Sequence, residues 1–198
     1  MYCMSEEQIK DMYSIFMIDP PWPQKKGGLR TVRKNQGNVL VYQTMPLDNI
    51  FLLLDKEVFP QGSSNHTVFL WTIDKFLVDA DKYMLSRGYK RHIRLVWNKT
   101  NGIAPAFTVR FCHEYLVWYY KSPMMKIDSG MRGKYGSIIT EKSRQHSRKP
   151  DAAYDFVKSI YPNSHRIDVF SRERRDGWDS WGNELDYFDS TNVLLISP

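Results

Sequence analysis

Five short runs of apolar or partly alternating residues are bounded by turn-forming residues, and each predicts a β-strand. Runs of this length suit strands of a sheet that is covered by helices on both faces. The five predicted strands span residues 13–18, 67–71, 91–97, 115–120 and 166–170. A further strand is expected at a sheet edge, over residues 193–196.

Three helices are predicted between these strands, because apolar residues recur there at intervals of three and four positions. The first spans residues 46–54 and the third spans residues 150–161. Both begin at a proline, which is favoured in the first turn of a helix. The second is expected to start at a cap formed by Thr72 or Asp74 and to end before Gly88, a natural C-terminal stop.

Several polar stretches show neither the alternation of a strand nor the spacing of a helix, and they are predicted to be loops. Two of them are long, and a long loop without secondary structure is commonly functional. We expect these two to be flexible, and the first to close over a ligand. The long loops span residues 23–45 and 121–148, and the shorter ones span residues 62–65, 98–108 and 171–182.

The alternation of strands and helices predicts an α/β fold with an open, mostly parallel, doubly wound sheet. The 198 residues fit a single domain, spanning 1–198, with one sizeable core. In such sheets ligands bind beyond the carboxyl ends of the strands, at a topological switch point. Asp19 and Arg172 each follow a predicted strand directly, so we expect them on the same rim of the sheet.

Charge adds a class of partner to this picture. The formal net charge is +6, and the loops 23–45 and 121–148 carry many more basic than acidic residues. Acid-poor basic loops beside a ligand site are typical of nucleic-acid binders, although each loop alone fits a solvated surface equally well. No apolar run approaches the roughly 18 residues that cross a bilayer. Two cysteines and an acidic first segment indicate a cytoplasmic protein in a reducing compartment.

The stretch Asp19-Pro20-Pro21-Trp22 follows the first strand and suits an exocyclic amine. Proline fixes the backbone, so the adjacent carbonyl groups point in fixed directions as acceptors. A carboxylate and a fixed carbonyl can together accept both hydrogens of a planar –NH2 group, and Trp22 can stack on the ring that carries it. The alternative is a proline-rich turn closed by a core tryptophan.

Three further features lie in the last third of the chain. Lys149 precedes a helix start, where N–H groups and a cation favour an anion, and Arg172 ends the fifth strand. Asn183 and Glu184 combine an amide with a carboxylate, which suits the two hydroxyl groups of a ribose. Taken singly, these features also fit a helix cap, a solvated arginine and a turn.

The order of these motifs resembles one family, the N6-adenine methyltransferases related to the catalytic subunit of the eukaryotic mRNA adenosine methyltransferase. The resemblance covers residues 13–184 and implies a compact bacterial or phage-like member without the extra N-terminal domains of the eukaryotic enzymes. The motifs are Asp19-Pro20-Pro21-Trp22, Tyr42-Gln43-Thr44-Met45-Pro46, Phe69-Leu70-Trp71, Val96-Trp97-Asn98-Lys99-Thr100, His113-Glu114-Tyr115-Leu116-Val117, Lys149-Pro150-Asp151, Phe170-Ser171-Arg172 and Trp181-Gly182-Asn183-Glu184.

The resemblance implies a Rossmann-like fold with permuted motif order, S-adenosylmethionine as methyl donor and no metal. Asp19 and the Pro20 carbonyl would hold the adenine N6 amine, and Pro21 and Trp22 would shape the pocket. The remaining roles fall into three groups. Lys149 and Arg172 would contact the cofactor and Asn183 and Glu184 its ribose, Tyr42 and Glu114 would line the target-adenosine pocket, and Lys25 and Lys26 would contact the nucleic acid.

Some alternatives stay open at this point. DNA is favoured over RNA as the substrate. The oligomeric state is open: a monomer offers a narrow grip on a duplex, and a homodimer or a heterodimer with a related subunit is the alternative. The rival interpretations are a non-catalytic nucleic-acid-binding member, a protein amide methyltransferase and a plain structural α/β domain. The intact Asp19 motif argues against the first two, and the third leaves the combined motifs unexplained. Large eukaryotic members carry an amide where Glu184 stands, and the basic loop after Arg172 leaves open which arginine contacts the cofactor.

Overall fold

A seven-stranded mixed sheet forms the centre of the protein. The computed structural model describes residues 12–24, 43–101, 109–145 and 147–190. Four of the six strand pairings in this part are parallel, which confirms the predicted mostly parallel α/β fold. The strands are β1 (Tyr13–Ile18), β2 (Gly62–Thr72), β3 (Lys90–Asn98), β4 (His113–Tyr120), β5 (Ile138–Thr140), β6 (Arg166–Val169) and β7 (Asp179–Trp181), in the order β5-β3-β4-β2-β1-β6-β7.

Helices cover both faces of the sheet. Helices α1 (Leu47–Leu53) and α2 (Asp74–Ser86) belong to one face and α3 (Asp151–Ile160) to the other, and α4 (Tyr187–Ser190) is a short C-terminal turn. A π-helical turn (Leu54–Val58) and a 3-10 turn (Phe59–Gln61) connect α1 to β2, and a second 3-10 turn (Ser129–Met131) precedes β5. The chain therefore builds three layers, with the sheet between two helical layers.

The strand residues alternate between two apolar cores. In β1, Phe16 and Ile18 pack towards α1 and α2, whereas Ile15 and Met17 pack towards α3. All four side chains are fully buried, as expected of a central strand that is covered on both faces. This arrangement explains why β1 has a continuous apolar sequence and not an alternating one.

One edge of the sheet collects the residues that the sequence marked for chemistry. β2 and β6 run parallel to β1 on either side of it, so their carboxyl ends meet the end of β1. β4 is antiparallel to β2, which brings its first residues to this same edge, with Tyr115 opposite Thr72. We call this the active edge, and Asp19, Glu114 and Arg172 all lie along it.

Two short strands were missed by the sequence analysis. Segment 171–182 was predicted to be loop, but β7 forms within it and pairs with β6. Segment 121–148 was also predicted to be an irregular loop, but β5 forms within it and pairs with β3. Both expectations are wrong, because a three-residue strand depends on a distant neighbour and leaves almost no local pattern.

The boundaries of β2 and α2 also differ from the predictions. Segment 62–65 was expected to be loop, but β2 begins at Gly62, which pairs with Tyr13 ahead of a register shift. The N-cap of α2 is Ile73 without a side-chain hydrogen bond, so neither Thr72 nor Asp74 caps it as predicted. The edge strand expected at 193–196, most of loop 23–45 and most of loop 98–108 lie outside the described residues.

Candidate functional site

A wide cleft opens at the active edge and contains the predicted site residues. Its volume is about 1350 Å³, which exceeds the roughly 300–1,000 Å³ of a typical single-ligand pocket. The cleft is therefore large enough for two ligands. Its lining includes Asp19, Pro20, Pro21, Trp22, Glu114, Lys149, Arg172, Asn183 and Glu184, which are all of the predicted residues within the described part of the chain.

The turn after β1 is fixed by backbone hydrogen bonds. The Asp19 N–H donates to the Val169 carbonyl over 3.2 Å, which ties the turn to the end of β6. The Trp22 N–H donates to the Pro20 carbonyl over 2.8 Å, and the Met45 N–H donates to the Pro21 carbonyl, also over 2.8 Å. A carbonyl oxygen has two lone pairs, so Pro20 retains one acceptor position in a fixed direction.

Trp22 occupies a different position from the one expected of a base-stacking residue. Its side chain is only 3% exposed, its ring stacks on Phe76 at 5.4 Å, and its indole N–H donates to the Trp71 carbonyl over 3.0 Å. The expectation that Trp22 stacks on the target ring is therefore wrong. The indole instead anchors the proline turn to the core and forms the floor of the cleft.

A chain of alternating charges crosses the cleft. The Lys149 ammonium lies 2.7 Å from Asp19 Oδ2 and 3.4 Å from Glu114 Oε2, and Lys99 donates to the other Glu114 oxygen. Burial raises the pKa of the Asp19 carboxyl above its usual range, and Lys149 opposes that shift. At Glu114 burial also raises the pKa, but the Lys149 and Lys99 ammonium groups outweigh it and lower the pKa below its usual range.

The start of α3 differs from the anion site that the sequence suggested. The backbone N–H groups of Asp151 and Ala152 donate to the Glu141 carboxylate over 3.2 and 2.9 Å. These helix N–H groups are therefore satisfied by Glu141 and do not face a ligand. Lys149 and Ser147 nevertheless both line the cleft. Ser147 has a φ of 66°, which is rare for a residue with a side chain.

Arg172 and Glu184 form an ion pair on the wall of the cleft. The Arg172 Nε lies 2.7 Å from Glu184 Oε2, and the guanidinium carbon lies 3.8 Å above the centre of the Tyr187 ring. Phe188 packs on the same guanidinium at 4.9 Å. These contacts hold Arg172 and Glu184 against the C-terminal turn, with both side chains on the wall of the cleft.

Gly182 allows this wall to form. A Cβ atom at this position would lie 2.3 Å from the Ser171 carbonyl oxygen and 2.8 Å from the Ser171 nitrogen. The chain leaving β7 thus passes directly against the end of β6, where the Ser171 N–H donates to the Trp181 carbonyl over 3.0 Å. This close approach brings Asn183 and Glu184 beside Arg172.

The three arginines after β6 occupy distinct environments. Arg172 lines the cleft, whereas Arg174 is well exposed and pairs with Asp186 over 3.1 Å. Arg175 is mostly buried, and its guanidinium lies 3.7 Å above the Tyr154 ring. Arg172 is therefore the arginine of this loop that lies in position to contact a ligand in the cleft.

A buried polar network below the cleft was not predicted from the sequence. Asp168 Oδ2 accepts hydrogen bonds from Ser171 at 2.9 Å, Tyr154 at 3.1 Å and Arg175 at 3.3 Å. Burial is the largest influence and raises the pKa of Asp168 to about 7, although Arg175 opposes it. The sequence signal was a carboxylate between the apolar residues Ile167 and Val169 of β6.

This network also supports the segment that carries Lys149. Arg175 pairs with Glu173, and the Glu173 carboxylate pairs with Arg148 at 2.6 Å. Arg175 further donates to the Lys149 carbonyl over 3.5 Å. The network therefore links the loop after β6 to the segment before α3, and both segments face the cleft.

Three predicted residues lie outside the described residues: Tyr42, Lys25 and Lys26. Within the described part, no group of three or more His, Cys, Asp or Glu side chains could hold a metal ion. No helix in that part is long and apolar enough to span a bilayer.

Comparison with known proteins gives a consistent result. The chain is 26% identical over 187 residues to a probable N(6)-adenosine-methyltransferase MT-A70-like protein of Oryza sativa subsp. japonica, covering 89% of this chain and 24% of that protein. It is 24% identical to the type II methyltransferase M.MunI of a Mycoplasma species, and that match covers 87% of this chain and 78% of M.MunI. It is 21% identical to the human N(6)-adenosine-methyltransferase catalytic subunit METTL3, and that match covers 94% of this chain and 30% of METTL3.

The chain thus spans about a quarter of the length of the plant relatives that it matches. The family model matches residues 13–184, from the start of β1 to the predicted ribose carboxylate Glu184. This match covers most of the chain and all of the cleft residues described above. The protein belongs to the MT-A70 family.

Proposed function

We propose that this protein transfers a methyl group from S-adenosylmethionine to the N6 amine of adenine in nucleic acid. One observation carries the proposal. Asp19, at the start of the proline-fixed turn, shares a single cleft with the cation Lys149 and with the Arg172–Glu184 wall. An amine site and a cofactor site within one cleft are what direct transfer between two ligands requires.

The residues present fit S-adenosylmethionine. Its carboxylate requires a cation, which Lys149 and Arg172 can supply. Its ribose hydroxyl groups require acceptors, which Glu184 and the Asn183 amide can supply. When bound, the cofactor supplies a methyl group that is already activated on a sulfonium. All four residues line the cleft, so they can bind one extended ligand together.

The Asp19 turn is suited to the target amine. The Asp19 carboxylate and the remaining lone pair of the Pro20 carbonyl can accept the two N6 hydrogens. Accepting these hydrogens makes the nitrogen more electron-rich, which it needs because its lone pair is delocalised into the ring. Positioning of this kind can lower a barrier by about 7–11 kcal/mol. No covalent intermediate is required, and the proton leaves to water after transfer.

Charge on the surface supports nucleic acid as the polymer. Exposed basic side chains of segment 121–148 include Lys142, which follows β5 and so lies beside the active edge. Cations at this position can pair with backbone phosphates while the target base turns into the cleft. DNA is favoured over RNA, because the chain resembles a type II methyltransferase over most of that relative's length. We place the protein in the cytoplasm, as a monomer, a homodimer or a complex with a related subunit.

Transfer of radiolabelled methyl groups from S-adenosylmethionine tests this proposal. Matched DNA and RNA oligonucleotides, single- and double-stranded, would be compared with versions in which every adenine is replaced. We expect incorporation only into adenine-containing oligonucleotides, and more into DNA. Equal labelling without adenine would refute the target, and binding of both ligands without any transfer would support a non-catalytic member of the family.

A further inference from the structure

We propose that Trp181, supported by Phe170, is the surface on which the adenine ring of the methyl donor stacks. The inference rests on the proposed function, since it assigns a residue to one part of the proposed cofactor. Asn183 and Glu184 were assigned to the ribose, but no residue has been assigned to the base attached to it. A base of this kind requires a flat apolar surface.

Trp181 differs from every other tryptophan of the chain. The sequence contains six tryptophans, and five of them are at most 7% exposed within the two cores. Trp181 is 38% exposed and lines the cleft. An indole that remains exposed in a protein that buries its other five is a candidate for contact with a ligand.

Phe170 fixes the position of this indole. The two ring centres lie 5.6 Å apart with an angle of 65° between the ring planes, an edge-to-face contact. In such a contact Phe170 covers at most one face of the indole. Phe170 has a φ of 62°, which is unfavourable for a bulky residue. Backbone strain of this kind concentrates at ligand sites, where the surrounding structure maintains it.

The position of Trp181 along the chain favours the adenine of the cofactor, and not the target adenine, as the base that stacks on it. Trp181 precedes Asn183 by two residues, so the indole and the predicted ribose ligands lie about 7 Å apart along the backbone. β6 separates β7 from β1 in the sheet. Neighbouring strands are about 4.8 Å apart, which puts the end of β7 about 10 Å from the Asp19 turn. The indole is therefore beside the ribose and away from the methyl-accepting amine.

Binding of S-adenosylhomocysteine, without nucleic acid, tests the inference by calorimetry. Stacking of a base on an aromatic side chain corresponds to about a 5- to 150-fold change in affinity on substitution by alanine. We expect Trp181→Ala to weaken binding by this factor and Trp181→Phe to stay within about 3-fold of the unaltered protein. Tyr135→Ala removes a comparably exposed aromatic ring outside the cleft and should bind normally.

Fluorescence provides a second measurement that does not depend on the alanine variant folding. Ligand binding should change the tryptophan emission of the unaltered protein, and Trp181→Phe should lose most of that change. Unaltered affinity in Trp181→Ala, or an undiminished emission change in Trp181→Phe, would overturn the inference. The inference would also be overturned if Trp181→Ala had a higher KM for the oligonucleotide but an unchanged affinity for S-adenosylhomocysteine. That result would assign Trp181 to the target base. Failure of the unaltered protein to bind S-adenosylhomocysteine would instead contradict the proposed function.

Discussion

At the scale of single residues, Glu184 and Asp186 provide a matched comparison. Glu184 pairs with Arg172 on the wall of the cleft, whereas Asp186 pairs with the well-exposed Arg174. A hydrogen bond to a charged group contributes about 1.5–3 kcal/mol, so loss of the Glu184 carboxylate should weaken ribose binding substantially. We expect Glu184→Ala to raise the KM for S-adenosylmethionine at least 10-fold, in steady-state assays at saturating oligonucleotide.

The control variant is Asp186→Ala, which should leave that KM unchanged. An exposed ion pair contributes about 0–1 kcal/mol to stability, so the free energy of unfolding of Asp186→Ala should also differ little from that of the unaltered protein. If Glu184→Ala and Asp186→Ala gave the same KM, Glu184 would have no part in cofactor binding.

Asp168 gives a prediction about pH. Burial raises its pKa to about 7, whereas the unfolded chain titrates near the ordinary value of about 3.9. The folded state thus favours the protonated acid, and its contribution to stability is present below pH 4 and is lost as the pH rises to 7. As the pH rises through this window, the free energy of unfolding of the unaltered protein should fall, relative to that of Asp168→Asn, by up to about 1.4 kcal/mol for each pH unit.

Urea unfolding at several pH values measures this difference. Subtracting the free energies of unfolding of the two proteins cancels the contribution of every other titrating group that the substitution leaves unaltered. Asp19 is coupled to Asp168 through charge, so the difference reports the titration of this pair. Tyr154 and Arg175 respond to Asp168 as well, but both titrate far above pH 7 and contribute nothing within this window. A difference that stays constant between pH 4 and pH 7 would show that Asp168 is already ionised at pH 4.

At the scale of secondary structure elements, the approach of β7 to β6 determines the shape of the cleft wall that carries Asn183 and Glu184. Gly182→Ala would place a Cβ atom 2.3 Å from the Ser171 carbonyl oxygen, so one of the two strands must move. Overpacking of this kind costs about 1–3 kcal/mol. We expect lower stability in thermal unfolding and weaker S-adenosylhomocysteine binding.

Gly136→Ala is the matched control, because an added Cβ there meets no atom within 4 Å. It should affect neither thermal stability nor ligand affinity by a measurable amount. Normal binding by Gly182→Ala would mean that the wall accommodates the methyl group and that the close approach is not required.

The elements that the sequence predicted well are those with a long local pattern. β1, β4 and the second half of β2 are rich in apolar or aromatic residues, and α3 shows clear helical spacing. β5 and β7 depend on pairing with β3 and β6, which no local pattern records. The fold class was therefore predictable, whereas the edges of the sheet were not.

The candidate site divides in the same way. Asp19, Lys149, Arg172, Asn183 and Glu184 were recognisable because they belong to motifs, and the fold brings all five into one cleft. The Asp168 network was not recognisable, since its members come from α3, β6 and the following loop. The core position of Trp22 agrees with the alternative that the sequence left open, a proline-rich turn closed by a core tryptophan.

At the scale of the whole molecule, the structure divides the basic segment 121–148 between the two ends of the sheet. Lys142 follows β5 at the active edge. Lys126 lies near the opposite end, where the Asp128 N–H donates to the Ile160 carbonyl at the end of α3. Both lysines are exposed, so only their position relative to the cleft distinguishes them.

We therefore expect Lys142→Ala to weaken oligonucleotide binding and Lys126→Ala to leave it unchanged. Loss of one phosphate contact should reduce the slope of log K against log salt concentration by about 1. Fluorescence anisotropy with a labelled oligonucleotide over a salt series measures this slope. Equal slopes for the two variants would show that nucleic acid does not bind beside the active edge.

The most direct test of the whole account is the nucleoside composition of oligonucleotides treated with S-adenosylmethionine, measured by mass spectrometry after digestion. The unaltered protein should produce N6-methyladenine, and Asp19→Ala should produce none while still binding S-adenosylhomocysteine detectably. Normal N6-methyladenine formation by Asp19→Ala, or methylation of a different atom by the unaltered protein, would contradict the assignment of the Asp19 turn as the adenine amine site.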